Sequence, residues 1–534
     1  MTSARELYEE LLALSITEEA ARLRSIAVDA LVVSLYERLL ERPHESIDDA
    51  RAAVAEGADE ISDGPGETLR VNNVHLSWRA VHDVWRWPPE NFAPYDVMLA
   101  RKLPGVRVIG RGWGMSTLAH PKRGGGLLIA VDPESALPSP VAWAVEGERV
   151  RCVLGATWEH VTTFLTGHGD HTCLANLPGF AKLSVAGSIG MGGHGSSVTL
   201  GPLASMVESV RIGHDDAHAV GIDRADPRFD YAITHLGRLG PVLGVELRVQ
   251  PRYQIRETRD LHVLGRSKGW EAELHELVAH AVTLHDSTEE DVHSTEIWIA
   301  PYVDDGELVT VLGKRVRTPE APGHGARPAV LRSQALQLLG QLAVRLVSST
   351  DPRWIRRVLR RTVKATVSGP VVMRAAEGLD FGAPNENPMG AIEMAMDISD
   401  RVDARALVTA IQTLEELAQT GRYVFAPIGV RFVGPGPAHG LSPHQGRRRT
   451  MHIEVPTFAS EPVFHGDEVL APVQRALAAL GARPHWGQRI YLTPPELRAL
   501  WPEEERLAMR RLVAELEPAG VFANELLDAV LEIT

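Results

Sequence analysis

The sequence predicts an α+β protein of more than one domain, on three observations. Its 534 residues exceed what one small core takes. Short β-branched runs separated by glycine fill residues 71–255, and longer helical patterns alternate with strands through residues 256–480. At 44% hydrophobic and 23% charged, the chain has ordinary globular composition.

Residues 1–70 come first. Leu7, Leu11 and Leu14, then Leu23, Ile26, Leu31, Leu35 and Leu39, recur at helical spacing and predict two amphipathic helices. Between them Ser15-Ile16-Thr17-Glu18 has the form of a capping box, and Pro43 closes the second helix. This segment holds 7 Lys+Arg against 16 Asp+Glu, so −9 of the chain's −14 charge lies here, before the turn-rich Asp63-Gly64-Pro65-Gly66. It reads as a helical extension solvated on the main body, with a partner-binding or dimerisation arm as the alternative. A possible homodimer stays open.

In 71–255 the strand signals lie at 106–109, 127–131, 150–154 and 242–249. In 256–480 they lie at 296–300, 391–396 and 451–455, interleaved with helical patterns at 270–284, 330–347 and 404–417. Residues 315–328, rich in Pro, Gly and Arg, read as a surface loop. Residues 481–534 complete the chain.

Composition excludes several classes. A charge of −14 opposes binding to duplex nucleic acid or an anionic membrane, since both need clustered positive charge. Cys152 and Cys173 supply neither a disulfide framework nor a four-thiolate zinc site and suit a reducing compartment, with the cytoplasm as the default. The N-terminus has no secretory pattern, and no run of 18 apolar residues predicts a membrane span. His275 and His280 are five residues apart, about 140° around a helix, and cannot face one zinc ion. No metal site is expected. A Walker A loop and a Gly-x-Ser-x-Gly elbow are both missing.

The informative residues are two glycine-rich loops. The first is Gly110-Arg111-Gly112-Trp113-Gly114-Met115-Ser116. The second runs from Ser184 through Gly187, Ser188, Gly192, Gly193, His194, Gly195 and Ser196. Glycines this dense expose backbone N–H groups, permit positive φ and let a diphosphate approach closely, although plain turns use them too.

In this order the loops resemble the vanillyl-alcohol-oxidase superfamily of FAD enzymes, nearest its alditol oxidase and aldonolactone oxidase branch. The run Thr234-His235-Leu236-Gly237-Arg238-Leu239-Gly240-Pro241-Val242 is similar to that family's His-Leu-Gly-Ala-Leu-Gly-Val-Val. Arg483-Pro484-His485-Trp486-Gly487-Gln488 resembles its Arg-Pro-His-Trp-Gly-Lys, and 516–524, ending in Asn524, resembles its closing segment. The resemblance covers roughly residues 75–534. It implies a two-subdomain FAD-binding domain, made from residues 71–255 and a C-terminal return over 481–534, around an inserted α+β substrate domain over 256–480. It also implies cofactor contacts from both loops and from Leu239, Gly240, Val242, His485 and Asn524.

Four departures bear on chemistry. Many relatives attach FAD through a histidine that aligns with Trp113, which cannot form the bond, so the expectation is non-covalent FAD, with His120 as the nearby alternative. The family's Glu-x-Arg is Gly429-Val430-Arg431 here, before Leu441-Ser442-Pro443. His452 matches a family histidine, and Glu454 stands two residues on, where a small hydroxyl residue is common. The family's lysine is Gln488.

Oxidising an alcohol through flavin needs a proton acceptor near the carbon and positive charge for the reduced cofactor. Arg431 is the candidate for electrostatic stabilisation. His452 is a candidate base, and period-2 geometry sets Glu454 on its face of the strand, where it could replace the lost carboxylate. Arg447-Arg448-Arg449 reads as a solvated face, with a substrate anion as the alternative. The resemblance implies an enzyme oxidising a C–OH group of a polyol, sugar or sugar-derived metabolite, with O2 or an unknown carrier as acceptor. Two alternatives remain: a dehydrogenase or tailoring enzyme on a bulky glycosylated or amino-sugar intermediate, and a flavin-binding protein without turnover.

Overall fold

The computed structural model describes residues 68–71, 74–77, 81–87, 104–122, 125–130, 140–168, 171–213, 219–322, 353–380, 389–458 and 466–533. The helices expected before residue 68, and the helical pattern at 330–347, lie outside the described residues. The strand Thr68–Val71, paired antiparallel with Val74–Ser77, crosses the boundary drawn at 70.

Among the described residues three sheets organise the chain. In a parallel sheet Gly125–Ala130 lies between Val81–Trp87 and Val106–Ile109. A five-stranded antiparallel sheet runs in the order Val220–Asp223, Val207–Ile212, Val242–Arg248, Arg149–Val153, Val141–Val145. Its apolar positions, including Val150, Val210 and Leu247, share a core with Trp158 and Val161 of the helix Trp158–Gly167. The same core holds Trp486, Leu497, Leu512 and Leu527, so the last fifty residues pack back onto residues 118–249. Burial of this apolar surface holds the last fifty residues against residues 118–249.

Arg107 ties that return at one point. Its buried guanidinium donates to the carbonyls of Leu118, Leu236, Gly237 and Phe522 at 2.7 to 3.0 Å. Gly240 has φ +108°, and a Cβ there would stand 3.1 Å from the Phe522 ring, so both conformation and space demand glycine.

The third sheet has eight strands in the order Ser368–Arg374, Gln254–Leu264, Leu308–Thr318, Val292–Ile299, Ile428–Val433, Thr450–Phe458, Met389–Asp397, Arg483–Pro484. Alternation gives it two unlike faces. Ile297, Val430, Ile453 and Met394 form one, buried on the helices Trp270–Thr283, Arg405–Gln419 and Gly466–Ala479. The other carries ions: Glu257 opposite Arg315, Glu296 opposite Arg431, Arg431 opposite His452, and Glu393 opposite Glu454.

This face corrects the surface loop expected at 315–328. Arg315–Thr318 end the strand Leu308–Thr318, and residues 323–328 lie outside the described residues. Arg315 is buried because Glu257, at 2.6 Å, and Glu296, at 3.4 Å, neutralise it. A paired guanidinium can enter a sheet where a lone one could not. Arg447 is a second correction. Its half-buried guanidinium donates to the carbonyls of Ala395, Pro443 and Gly481 and so is tied to backbone, while Arg448 beside it is exposed.

Candidate active site

The two glycine-rich loops meet. A Cβ on Gly110 would lie 2.3 Å from Ser184 Oγ, and Met115 N donates to Gly487 O at 2.8 Å, joining the first loop to the turn after His485. Gly112 and Gly192 adopt φ of +69° and +78°. Among the described residues nothing approaches within 4 Å of an ideal Cβ on Gly190, and on Gly114 only Gly487 O does, at 4.0 Å. Bare backbone of this kind fits a cofactor laid along both loops. Trp113, half-buried, packs edge-on against Phe180 with ring centroids 4.8 Å apart.

Other expected cofactor residues brace these loops. Ser188 Oγ accepts from Trp158 Nε1 at 2.7 Å and lies 3.0 Å from the carbonyls of Ser184 and Val185, to which it donates. Asn524 caps the helix Glu525–Leu531 through its carbonyl, while its amide donates to Thr117 and His120 carbonyls at 3.1 and 2.8 Å. Both side chains hold backbone in place. Leu239 is buried, and Val242 begins a strand of the five-stranded sheet.

The second loop is stitched to the ion-bearing sheet. Ser196 Oγ donates to Thr295 O at 2.6 Å and accepts from Phe432 N at 3.3 Å, and Ser197 N donates to Phe432 O at 2.6 Å. Residue 432 follows Arg431, so this seam fixes the arginine relative to the loop.

Arg431 Nη2 donates to Glu454 Oε2 at 2.9 Å, and Gln488 Nε2 donates to Glu454 Oε1 at 3.3 Å. The Arg431 and Glu454 side chains are 22% and 25% exposed, open enough to meet a small molecule. Burial raises the Glu454 carboxyl above the usual carboxylate range, with Arg431 pulling the other way, while its neighbouring carboxylates keep Arg431 firmly charged. Gln488 Oε1 is buried without a hydrogen-bond partner.

His452 lies opposite Arg431 on the same sheet face. It is fully buried, its Nδ1 lies 3.4 Å from Glu393 Oε1, and its Nε2 has no hydrogen-bond partner. Burial, then the neighbouring His194, pushes its pKa down to about 3. Around Glu393 the fold gathers four imidazoles: His194, His452, His485 and, behind them, His444, whose Nδ1 lies 3.1 Å from Thr450 Oγ1. Reasoning from sequence named three of these histidines and missed Glu393. Its signal was a lone carboxylate in the apolar run Ala391-Ile392-Glu393-Met394-Ala395.

Donor atoms of His194, Glu393 and His485 lie within 4.8 Å of one another, a spacing that a cation could bridge. Hydrogen bonding argues otherwise. His485 Nδ1 accepts the Gly487 N–H at 3.1 Å, so in the neutral ring the proton sits on Nε2 and no lone pair is left for a metal.

Comparison with known proteins agrees with this geometry. The D-arabinono-1,4-lactone oxidase family matches residues 245–530, more than half of the chain. Alditol oxidase of Streptomyces sp. (strain IKD472 / FERM P-14339) is 26% identical over 445 residues, 82% of this chain and 92% of that protein. L-gulono-1,4-lactone dehydrogenase of Mycobacterium tuberculosis is 24% identical over 359 residues, 65% of this chain and 74% of that protein. In structure the chain is similar to cholesterol oxidase from B. sterolicum, with a TM-score of 0.63 and 15% identity over 87% of this chain and 96% of the other. The chain therefore belongs to the D-arabinono-1,4-lactone oxidase family within the vanillyl-alcohol-oxidase superfamily and is an FAD-dependent oxidoreductase acting on CH–OH.

Proposed function

We propose that this enzyme oxidises a secondary or primary hydroxyl of a polyol, sugar or sugar-derived lactone, bound over the Arg431–Glu454–Gln488 edge of the eight-stranded sheet. One observation carries this reading: the partly open Arg431–Glu454 pair sits one residue from the seam to the glycine-rich loop. Bound FAD supplies the hydride acceptor. Glu454 takes the hydroxyl proton, since its raised pKa makes it a better base than an ordinary surface carboxylate. Arg431 orients the hydroxyl oxygen through its second nitrogen and steadies negative charge there. Gln488 fixes the carboxylate's other oxygen.

His452 is assigned a packing role beside Glu393, because a fully buried imidazole cannot touch substrate. Residues 71–255 and 481–534 are assigned to FAD binding, and 256–480 to substrate binding. FAD is held without a covalent bond, Trp113 occupying the attachment position. The names of the two relatives, an oxidase and a dehydrogenase, allow either oxygen or a carrier as acceptor.

The test is anaerobic mixing of the purified holoenzyme with a panel of alditols, aldonolactones and aminocyclitols, followed at the flavin absorbance. Bleaching with a polyol or lactone supports the reading, and subsequent admission of air separates oxidase from dehydrogenase. A panel without bleaching favours a flavin-binding protein without turnover.

A further inference from the structure

One row of side chains across the eight-stranded sheet is broken. Trp298 stands opposite Gly429 on one flank and Glu454 opposite Gly429 on the other, so three neighbouring strands present an indole, nothing and a carboxylate to the same face. With strands about 4.8 Å apart, the two flanking Cα atoms are separated by about 10 Å. Arg431 borders this gap on Gly429's own strand.

The backbone does not call for a glycine at 429. Its φ lies outside the left-handed region, and among the described residues a Cβ there would meet only Glu454 within 4 Å, at ordinary contact distances of 3.6 and 3.9 Å. An alanine would fit, so what the glycine provides is space. Gly313 is the opposite case, since a Cβ on it would stand 2.6 Å from Trp298 Cζ3 and 2.9 Å from Cη2. Gly313 lies on the strand beyond Trp298, on the side away from Gly429, so the indole leans over it and leaves the gap open. The Arg259 guanidinium carbon, 4.9 Å from the indole centroid, helps to hold the ring there. Accessibility marks the same place. In Val292–Ile299 every residue but Trp298 is buried, and in Ile428–Val433 every residue but Gly429 and Arg431.

We propose that Gly429 and Trp298 form a specificity subsite, as floor and far wall, for the carbon skeleton beside the reacting hydroxyl, and that it favours a ring-shaped polyol, a cyclitol or pyranoside, over a linear alditol. A ring whose hydroxyl meets Arg431 and Glu454 carries its flank into the space above Gly429 as one rigid piece. A linear chain of equal size must have each rotatable bond ordered on binding. The inference rests on the proposed hydroxyl oxidation at Arg431 and Glu454 and adds the shape of the substrate.

The experiment uses FAD-loaded enzyme without oxygen, with myo-inositol and methyl α-glucopyranoside as cyclic probes and sorbitol and xylitol as linear ones. It reads the rate of flavin reduction divided by the dissociation constant, as a cyclic-to-linear ratio. Wild type is expected to favour the cyclic probes about tenfold or more, and Gly429→Val to lower that ratio about tenfold by filling the gap. Trp298→Leu, which removes the far wall, should lower it as well. Gly429→Ala gives a smaller fall and serves if the valine variant loses FAD. A wild type that prefers the linear probes, or a ratio unmoved in the FAD-loaded residue-429 variants, would overturn the subsite while alcohol oxidation stands. If no probe reduces the flavin, the oxidation reading fails by itself and binding decides for the subsite. The cyclic probes are then expected to perturb the oxidised flavin spectrum of wild type and not of Gly429→Val, and the same response in both refutes it.

Discussion

Glu454 stands directly across the strand pair from Gly429, and its Oε2 lies 3.6 Å from where a Cβ on residue 429 would be. The resemblance puts a glutamate at the place of Gly429, and on that reading we propose that Glu454 supplies the carboxylate from the neighbouring strand. Arg431 pairs with Glu454 at 2.9 Å.

That exchange is testable. Glu454→Gln should slow flavin reduction by about 10²–10⁴ with FAD still bound, the usual range for losing a general base. The double variant Gly429→Glu/Glu454→Ser, which returns the carboxylate to the neighbouring strand, should recover part of the rate. Rapid-mixing absorbance would show both, and an unimpaired Glu454→Gln would end Glu454's assignment as base.

Arg431→Ala should abolish reduction without releasing FAD, and Arg431→Lys should lose about 10²–10³, because an ammonium cannot serve the Glu454 carboxylate and a hydroxyl in one plane. Single-turnover rates at saturating substrate make the comparison. Unchanged reduction in the alanine variant would remove Arg431 from the chemistry.

Acid precipitation of the holoenzyme should leave yellow FAD in the supernatant, because Trp113, packed on Phe180, offers no nucleophilic nitrogen for a flavin bond. Flavin retained in the pellet would instead point to His120, and peptide mapping would identify the link.

Stability should rise with pH between about 4 and 6.5. Burial lowers His235 and His293 to about 3, and His285 and His485 to about 4, so below the ordinary histidine pKa the unfolded chain binds protons that the folded chain refuses. The sign follows: stability is lost as pH falls, at about 1.4 kcal/mol per unit for each such group, and is flat above about 7. Denaturant titrations at pH 5 and pH 7.5 check this, and equal midpoints would contradict it.

Arg107→Leu should destabilise the fold by about 3–5 kcal/mol, since four carbonyls from three distant segments lose their donor inside the core. Thermal denaturation should show a marked fall, accompanied by easier loss of FAD. A shift within a degree of wild type would mean that water replaces the guanidinium.

Much of this was legible in the chain. The strands around residues 106, 150, 242, 391 and 451 follow from β-branched alternation, and both glycine loops from composition alone. Arg431 and Glu454 were singled out by motif and by parity along a strand, and both lie on one face of the strand pair. Arg315 was misread because a run of Arg, Pro and Gly looks solvated until its carboxylate partners, 58 and 19 residues away, are known. Glu393 passed unnoticed for the same reason, since its significance lies in partners 199 and 59 residues distant in sequence, His194 and His452.

The sequence by itself determined the local matters: which stretches are strands, where the backbone must stay bare, and which charged side chains share a strand face. Those depend on period, on the missing Cβ and on functional groups within a few residues. Only the tertiary structure decided that Glu454 stands opposite Gly429, that His452 is fully buried and that Glu393 lies beside His194. Each of these depends on strand order and register, which arise from burying the apolar face of the eight-stranded sheet on its helices and are written in no single segment.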